Sequence, residues 1–216
     1  LDALDVQRAK GSSILHQQST PLGARRRNVV IVGIPGVGKS TVVAKVVESL
    51  KSKGKLPQVI NYGTVMLEQA SKFHGVKSRD EMRKLPVEQQ RVLQIHAASF
   101  ISKIDSEYLI VDTHLFIATP EGFWPGMPID VLQALKPTHI VLVSATVDEI
   151  LSRRQNDLTR SRDKATFESL SMELDAAKSL LFASSLICGC PALIVHNVEG
   201  LVELTAEKVI NAVFPK

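Results

Sequence analysis

The chain has 216 residues, 44% hydrophobic and 22% charged, an ordinary globular composition large enough for one full α/β core. Its net charge of +4 and pI near 9.1 suit an anionic ligand, and nucleotide phosphates ask for that charge as readily as nucleic acid does. No apolar run approaches the roughly 20 residues of a membrane span, the six histidines are scattered, and the C-x-C pair Cys188 and Cys190 suits neither a zinc site nor an unstrained mutual disulfide.

Residues 1–27 read as a solvated extension. Ser12 to Arg27 is rich in Ser, Gln and Arg and has no acidic residue, so a targeting leader, a tail and a translated upstream stretch are the readings it allows. The two thiols fit a reducing, cytoplasmic setting. Asn28 to Val32 is short, apolar and β-branched, the pattern of a buried strand. It runs into Gly33-Ile34-Pro35-Gly36-Val37-Gly38-Lys39-Ser40-Thr41, which fits G-x-x-x-x-G-K-[ST] at every fixed position. Lys39 to Lys53 reads as a helix, so the glycines lie where a strand turns into a helix N-terminus. Backbone N–H groups and the helix dipole then converge on one point that favours phosphate. Lys39 can reach β- and γ-phosphates, and the Ser40 hydroxyl can ligate Mg²⁺.

A second strand is expected over Gln58 to Asn61, followed by helices over Thr64 to Phe73 and Pro86 to Lys103. Val87, Val92, Leu93, Ile95 and Phe100 form the apolar face of the latter. Between them Arg79 and Arg83 lie four apart on one helix face, able to grip a second phosphate or simply to be solvated. A third strand, Glu107 to Asp112, ends in a carboxylate placed to hold Mg²⁺ directly or through water. Thr113 to Pro128, rich in Pro and Gly at its end, reads as an irregular loop. A fourth strand, His139 to Val143, precedes a short helix, Val147 to Gln155. Arg153, Arg154, Arg160 and Arg162 follow one another closely there. Such a cluster suits the charge that develops in phosphoryl transfer, or a solvated or RNA-contacting patch. A long helical stretch from Phe167 to Ile187, a fifth strand from Ala192 to Val195 and an amphipathic helix from Leu201 to Val213 close the chain. Alternating strands and helices predict a parallel sheet covered on both faces, with ligands beyond the carboxyl ends of the strands. Neither D-x-x-G nor N-K-x-D follows the phosphate loop, which argues against a guanine-switch GTPase.

From Asn28 onward the chain resembles the archaeal-type adenylate kinases. The resemblance is carried by the phosphate loop, Asn61-Tyr62-Gly63, Arg79-Asp80-Glu81-Met82-Arg83-Lys84-Leu85, Val111-Asp112-Thr113-His114, Thr119-Pro120-Glu121-Gly122, Pro125-Gly126-Met127-Pro128 and Asn197-Val198-Glu199-Gly200, in the family's order. It implies an α/β fold with a five-stranded parallel sheet flanked by helices, an AMP-binding helical segment over about 61–104 and a short lid over about 153–166. It also implies a homotrimer and the direct in-line reaction Mg²⁺-ATP + AMP ⇌ 2 ADP. On this reading Gly33, Ile34, Pro35, Gly36, Val37, Gly38, Lys39, Ser40 and Thr41 hold the ATP phosphates and Asn197 lines the donor base. Tyr62, Gly63, Arg79 and Arg83 serve AMP, with one of Gln89, Gln90 and Gln94 reading its base. Ser40 and Asp112 serve Mg²⁺, and Lys39, Arg153, Arg160 and Arg162 are catalytic. His114 is expected as a hydrogen-bonded loop residue, not a base. Thr64 stands where the family usually has Asp, and Ala118 and Asn156 where basic residues are common. These departures leave other monophosphate acceptors such as CMP or UMP as an alternative. A nucleotide-dependent RNA-binding module is the further alternative, disfavoured because aromatic residues are few and scattered.

Overall fold

The computed structural model describes residues 26–119, 121–156 and 165–214. Strand β1 (Arg27–Val32) lies at the centre of a five-stranded sheet. On one side stands β3 (Tyr108–Asp112) and then β2 (Pro57–Asn61); on the other, β6 (His139–Ser144) and then β7 (Ala192–His196). All four ladders are parallel. Val29, Val30, Ile31 and Val32 are wholly buried, because a central parallel strand is covered by helices on both faces and tolerates no polar alternation. Asn28 is the polar member of this run. Its Nδ2 donates to the Leu135 carbonyl at 2.6 Å and so ties the start of β1 to a neighbouring helix end.

The chain leaves β1 toward one edge of the sheet and leaves β3 toward the other. That reversal opens a crevice at the carboxyl ends of β1 and β3. The register fixes what lies there. Ile31 pairs with Asp112, and Asp112 pairs with Asn61, so the ends of β1, β3 and β2 are level. Helix α1 (Lys39–Ser52) starts at the crevice and buries Val42, Val43, Val46 and Leu50 against the sheet. Helix α2 (Tyr62–His74) starts directly at the end of β2, with the Asn61 side chain as its N-cap.

Two expectations need correction. The stretch 113–128 is not wholly irregular: β4 (Phe116–Thr119) and β5 (Gly122–Pro125) form an antiparallel hairpin in which the Phe116 and Phe123 rings lie 4.5 Å apart. Four-residue strands are too short to print an alternating pattern, and the prolines and glycines dominate the signal. A short helix, α5 (Ile129–Leu135), follows it. The face expected of α4 (Val87–Ser102) is also only partly the buried one. Leu93 is buried, but Val87, Val92 and Phe100 are exposed, and Gln94, Ala97, Ala98 and Ile101 complete the inner face. Small alanines facing α5 allow close approach, so the bulkier residues are left on the outer side. The other expected elements are present as α3 (Arg79–Arg83), α6 (Val147–Asn156), α7 (Phe167–Cys188) and α8 (Val202–Val213).

Candidate active site

The phosphate loop spans the gap between β1 and α1. Gly38 is the N-cap of α1 with φ 81°, and Gly36 has φ 97°, both in the left-handed region that side chains resist. A Cβ on Gly38 would meet Asn197 Nδ2 at 2.3 Å, so a side chain there would have to displace the Asn197 amide from Val37 O as well as adopt a strained φ. Three carbonyls of the loop are held from outside. His114 Nδ1 donates to Gly33 O at 2.9 Å. Arg154 donates to Pro35 O through Nε at 3.0 Å and Nη2 at 2.7 Å. Val37 O accepts from Asn197 Nδ2 at 2.9 Å and from Arg153 Nη1 at 3.2 Å. These contacts occupy the carbonyl side of the loop, and phosphate binding draws on backbone N–H groups.

Lys39 is nearly buried, and its ammonium is ion-paired with Asp112 Oδ1 at the end of β3. Burial pushes the Lys39 ammonium down to about 8. The other oxygen, Asp112 Oδ2, accepts from Asn61 Nδ2 at 3.1 Å. Ser40 and Thr41, on the first turn of α1, are exposed. Ser40 and Asp112 therefore offer a hydroxyl and a carboxylate, hard oxygen donors that suit Mg²⁺. A cation held mainly by substrate phosphates and water asks for few protein ligands.

The remaining expected residues separate. Arg79 reaches the sheet edge: its Nη2 donates to Asn61 Oδ1 at 3.0 Å and to Thr64 Oγ1 at 3.1 Å, beside Gly63. Arg83 instead pairs with Asp80 at 2.8 Å on the surface of α3. Tyr62 is buried, and its hydroxyl donates to the Gln94 carbonyl; burial raises its phenol well above the ordinary value. Gln94 Nε2 donates to Pro125 O at 3.2 Å, and Gln90 Nε2 to Arg83 O at 3.0 Å and Leu85 O at 2.8 Å, while Gln89 is half-buried. Arg153 stands behind the phosphate loop. Besides Val37 O it donates to Asn197 O at 3.0 Å and to Glu199 Oε2 at 2.8 Å. Arg160 and Arg162 lie outside the described residues, as does most of the expected lid.

Three contributors were given no role of their own from the sequence, although Arg154 and Asn61 lie in segments it picked out. Arg154 holds Pro35 O and pairs with Glu173 at 3.4 Å. Asn61 links Arg79 to Asp112. Glu149 accepts from Thr146 N at 2.8 Å and from Glu199 N at 3.0 Å beside Arg153. Burial pulls the Glu149 carboxyl up, but these hydrogen bonds and the nearby guanidinium outweigh it and hold the group below its ordinary value. The arginine cluster was a visible signal. Which arginine faces the loop depends on the phase of α6, which spacing alone did not fix.

A family model described as an AAA domain matches residues 32–171. The chain is 39% identical over 188 residues to an adenylate kinase of Methanocaldococcus jannaschii, covering 87% of this chain and 98% of that one. It is 42% identical over 188 residues to an adenylate kinase of Sulfurisphaera tokodaii, covering 85% and 97%. The chain belongs to the archaeal-type adenylate kinases. An adenylate kinase of Pyrococcus horikoshii is likewise 42% identical over 184 residues, covering 84% of this chain and 92% of the relative. The fold is shared more widely among P-loop kinases. A shikimate kinase from Acinetobacter baumannii superposes with a TM-score of 0.55 at 16% identity, over 88% of this chain and 93% of that one. As an adenylate kinase the protein is a nucleoside monophosphate kinase; the phosphate loop, Lys39 and Asp112 stand together at the carboxyl edge of the sheet. Among the described residues no helix is long and apolar enough to cross a membrane.

Proposed function

We propose that this site passes the γ-phosphoryl group of ATP directly to the phosphate of AMP, giving two ADP. The observation that supports it most is that two cationic centres, Lys39 and Arg79, stand at one sheet edge and are joined through Asp112 and Asn61. Transfer from the phosphoanhydride of ATP to the phosphate of AMP brings two polyanions together, and a positive group at each offsets their repulsion. The backbone N–H groups of the loop, to which Pro35 adds none, orient the donor phosphates. Lys39 turns from Asp112 to the β- and γ-phosphates. Arg79 holds the acceptor phosphate, with Arg83 and Gly63 near it and Tyr62 fixing the segment. Arg160 and Arg162 cover the transferring group and exclude water, and Arg153 with Asn197 shapes the donor pocket from behind. Ser40 and Asp112 would hold Mg²⁺, which when bound neutralises phosphate charge. The acceptor oxygen is already ionised at neutral pH, so no side chain has to remove a proton. His114 accordingly serves as a donor to Gly33 O.

Incubation with Mg²⁺-ATP and, separately, AMP, CMP, UMP and GMP tests the reading. ADP formed with AMP in preference to the others is expected; preference for a pyrimidine acceptor would move the substrate while keeping the fold. We also place the protein in the cytoplasm as a homotrimer. Exposed apolar residues on α7, among them Phe182 and Leu186, are surface that assembly would cover. Sedimentation equilibrium tests the trimer.

A further inference from the structure

The side chain of Asn61 touches both halves of the site. Its Oδ1 accepts from Arg79 Nη2 at 3.0 Å, from Thr64 N at 3.1 Å and from Thr64 Oγ1 at 3.1 Å. Its Nδ2 donates to Asp112 Oδ2 at 3.1 Å. This orientation is forced by chemistry. A flipped amide would point N–H groups at three donors and a carbonyl oxygen at a carboxylate. The backbone also fixes it. Asn61 is the last residue of β2, paired in register with Asp112, and the N-cap of α2, so neither end can slide. The Asp112 oxygen that Asn61 leaves alone is the one that meets Lys39. A continuous polar path therefore runs from Thr64 and Arg79 through Asn61 and Asp112 to Lys39.

We propose that Asn61 is a positioning residue that couples the acceptor-side arginine, Arg79, to the donor-side pair of Asp112 and Lys39. When Lys39 turns to the donor phosphates, Asp112 loses its cation and keeps Asn61, which holds the carboxylate in place. When Arg79 takes an acceptor phosphate, Asn61 keeps its two bonds from Thr64 and does not swing away. Both groups are thus anchored on one amide, so the acceptor-side arginine and the donor-side carboxylate keep a fixed relation to each other. Arg79 is held by two neutral oxygens, Asn61 Oδ1 and Thr64 Oγ1, with no paired carboxylate among the described residues. Its charge is thus kept for the acceptor. The inference rests on the assignment of Arg79 to the acceptor side.

Asn61→Asp separates this role from helix capping. Aspartate caps a helix as well as asparagine and still accepts from Thr64 and Arg79. It cannot donate to Asp112, and it adds a carboxylate that compensates Arg79. Coupling predicts that kcat falls and the KM for AMP rises, each by about tenfold, the size expected for losing one charge-assisted hydrogen bond at a partly solvated site. The new carboxylate would face that of Asp112, so the melting temperature of Asn61→Asp should fall, whereas Asn61→Ser, which adds no charge, should melt closer to the parent. Asn61→Ser, which caps but is too short to bridge, should show the same kcat loss and serves as the reading if Asn61→Asp does not fold. Parent protein that turns over AMP while both variants remain within twofold of it in kcat and in KM for AMP would overturn the inference. Parent protein that forms no ADP from AMP would instead refute the proposed function, so the two failures are distinguishable.

Discussion

Arg153 can contribute in two ways that respond differently to replacement. It can touch transferring phosphate, or it can hold the phosphate loop from behind. The structure favours the second, since its guanidinium is committed to Val37 O, Asn197 O and Glu199. Replacement by methionine keeps most of the aliphatic packing and removes all three bonds. Glu199 is largely exposed, so that pair contributes little. The two carbonyl bonds are charge-assisted and partly buried; at about 1.5–3 kcal/mol each before discount for solvent access, and with Val37 O retaining Asn197, the loss comes to about 2–3 kcal/mol. For a chain of this size that corresponds to a fall of roughly 4–12 °C in melting temperature. Calorimetry together with initial rates at varied ATP decides the matter. A latch predicts the lower melting temperature and a raised KM for ATP, with a smaller loss in kcat. An unchanged melting temperature with kcat down by two orders of magnitude would refute the latch and return Arg153 to the reacting phosphates.

Lys39→Ala should abolish nearly all transfer while the chain stays folded, and undiminished turnover would reject the phosphate loop as the donor site. Because burial holds the Lys39 ammonium at about 8, kcat/KM for ATP should decline as pH rises through that value, and Lys39→Arg should flatten that limb. The same group has a signed effect on folding. Between about 8 and the ordinary 10.5 the unfolded chain holds a proton that the native lysine has released, so this residue's contribution to stability rises with pH across that window. Denaturant titrations of parent and Lys39→Met at pH 7.5 and 9.5 should reveal it as a difference in slope with pH. Gly38→Ala forces a side chain into φ 81° and onto Asn197 Nδ2, and should lose ATP binding measured by calorimetry. Arg79→Met should raise the KM for AMP by about tenfold or more, the scale of one charge-assisted contact, and by more than Arg83→Met does; the reverse order would show that the surface pair with Asp80 opens to receive the acceptor.

The phosphate loop and the carboxylate beside it were legible in the sequence because their patterns are local. Nine consecutive residues specify the loop, and an apolar strand ending at Asp112 specifies the carboxylate. The acceptor half was legible only as a pair of candidates. Arg79 and Arg83 share a helix face by spacing, yet α3 is five residues long, and only its first residue lies near the end of β2. That proximity comes from the packing of α3 against α2, which no local pattern encodes. Asn61 shows the same limit. In the sequence it is the end of a strand and the cap of a helix, and its second function appears only when Asp112 is placed beside it. The hairpin over 116–125 and the outer face of α4 were misread for a different reason: short strands and small inner residues give weak periodicity. Bulky apolar side chains on the outside of a helix then imitate a core face.

The loop carbonyls fastened at residues 33, 35 and 37 have a consequence for binding entropy. A glycine-rich segment that was loose when empty would have to be ordered by its ligand, at about 1–2 kcal/mol for each residue. Here His114, Arg154, Arg153 and Asn197 hold every second peptide of the loop in the shape that receives phosphate. The ordering is therefore done during folding, and the attraction between phosphate and peptide dipoles reaches the nucleotide with little deducted. The same fastening sets a ceiling on accommodation. A ligand whose phosphates require a wider loop has to break these bonds on the far side before it can enter.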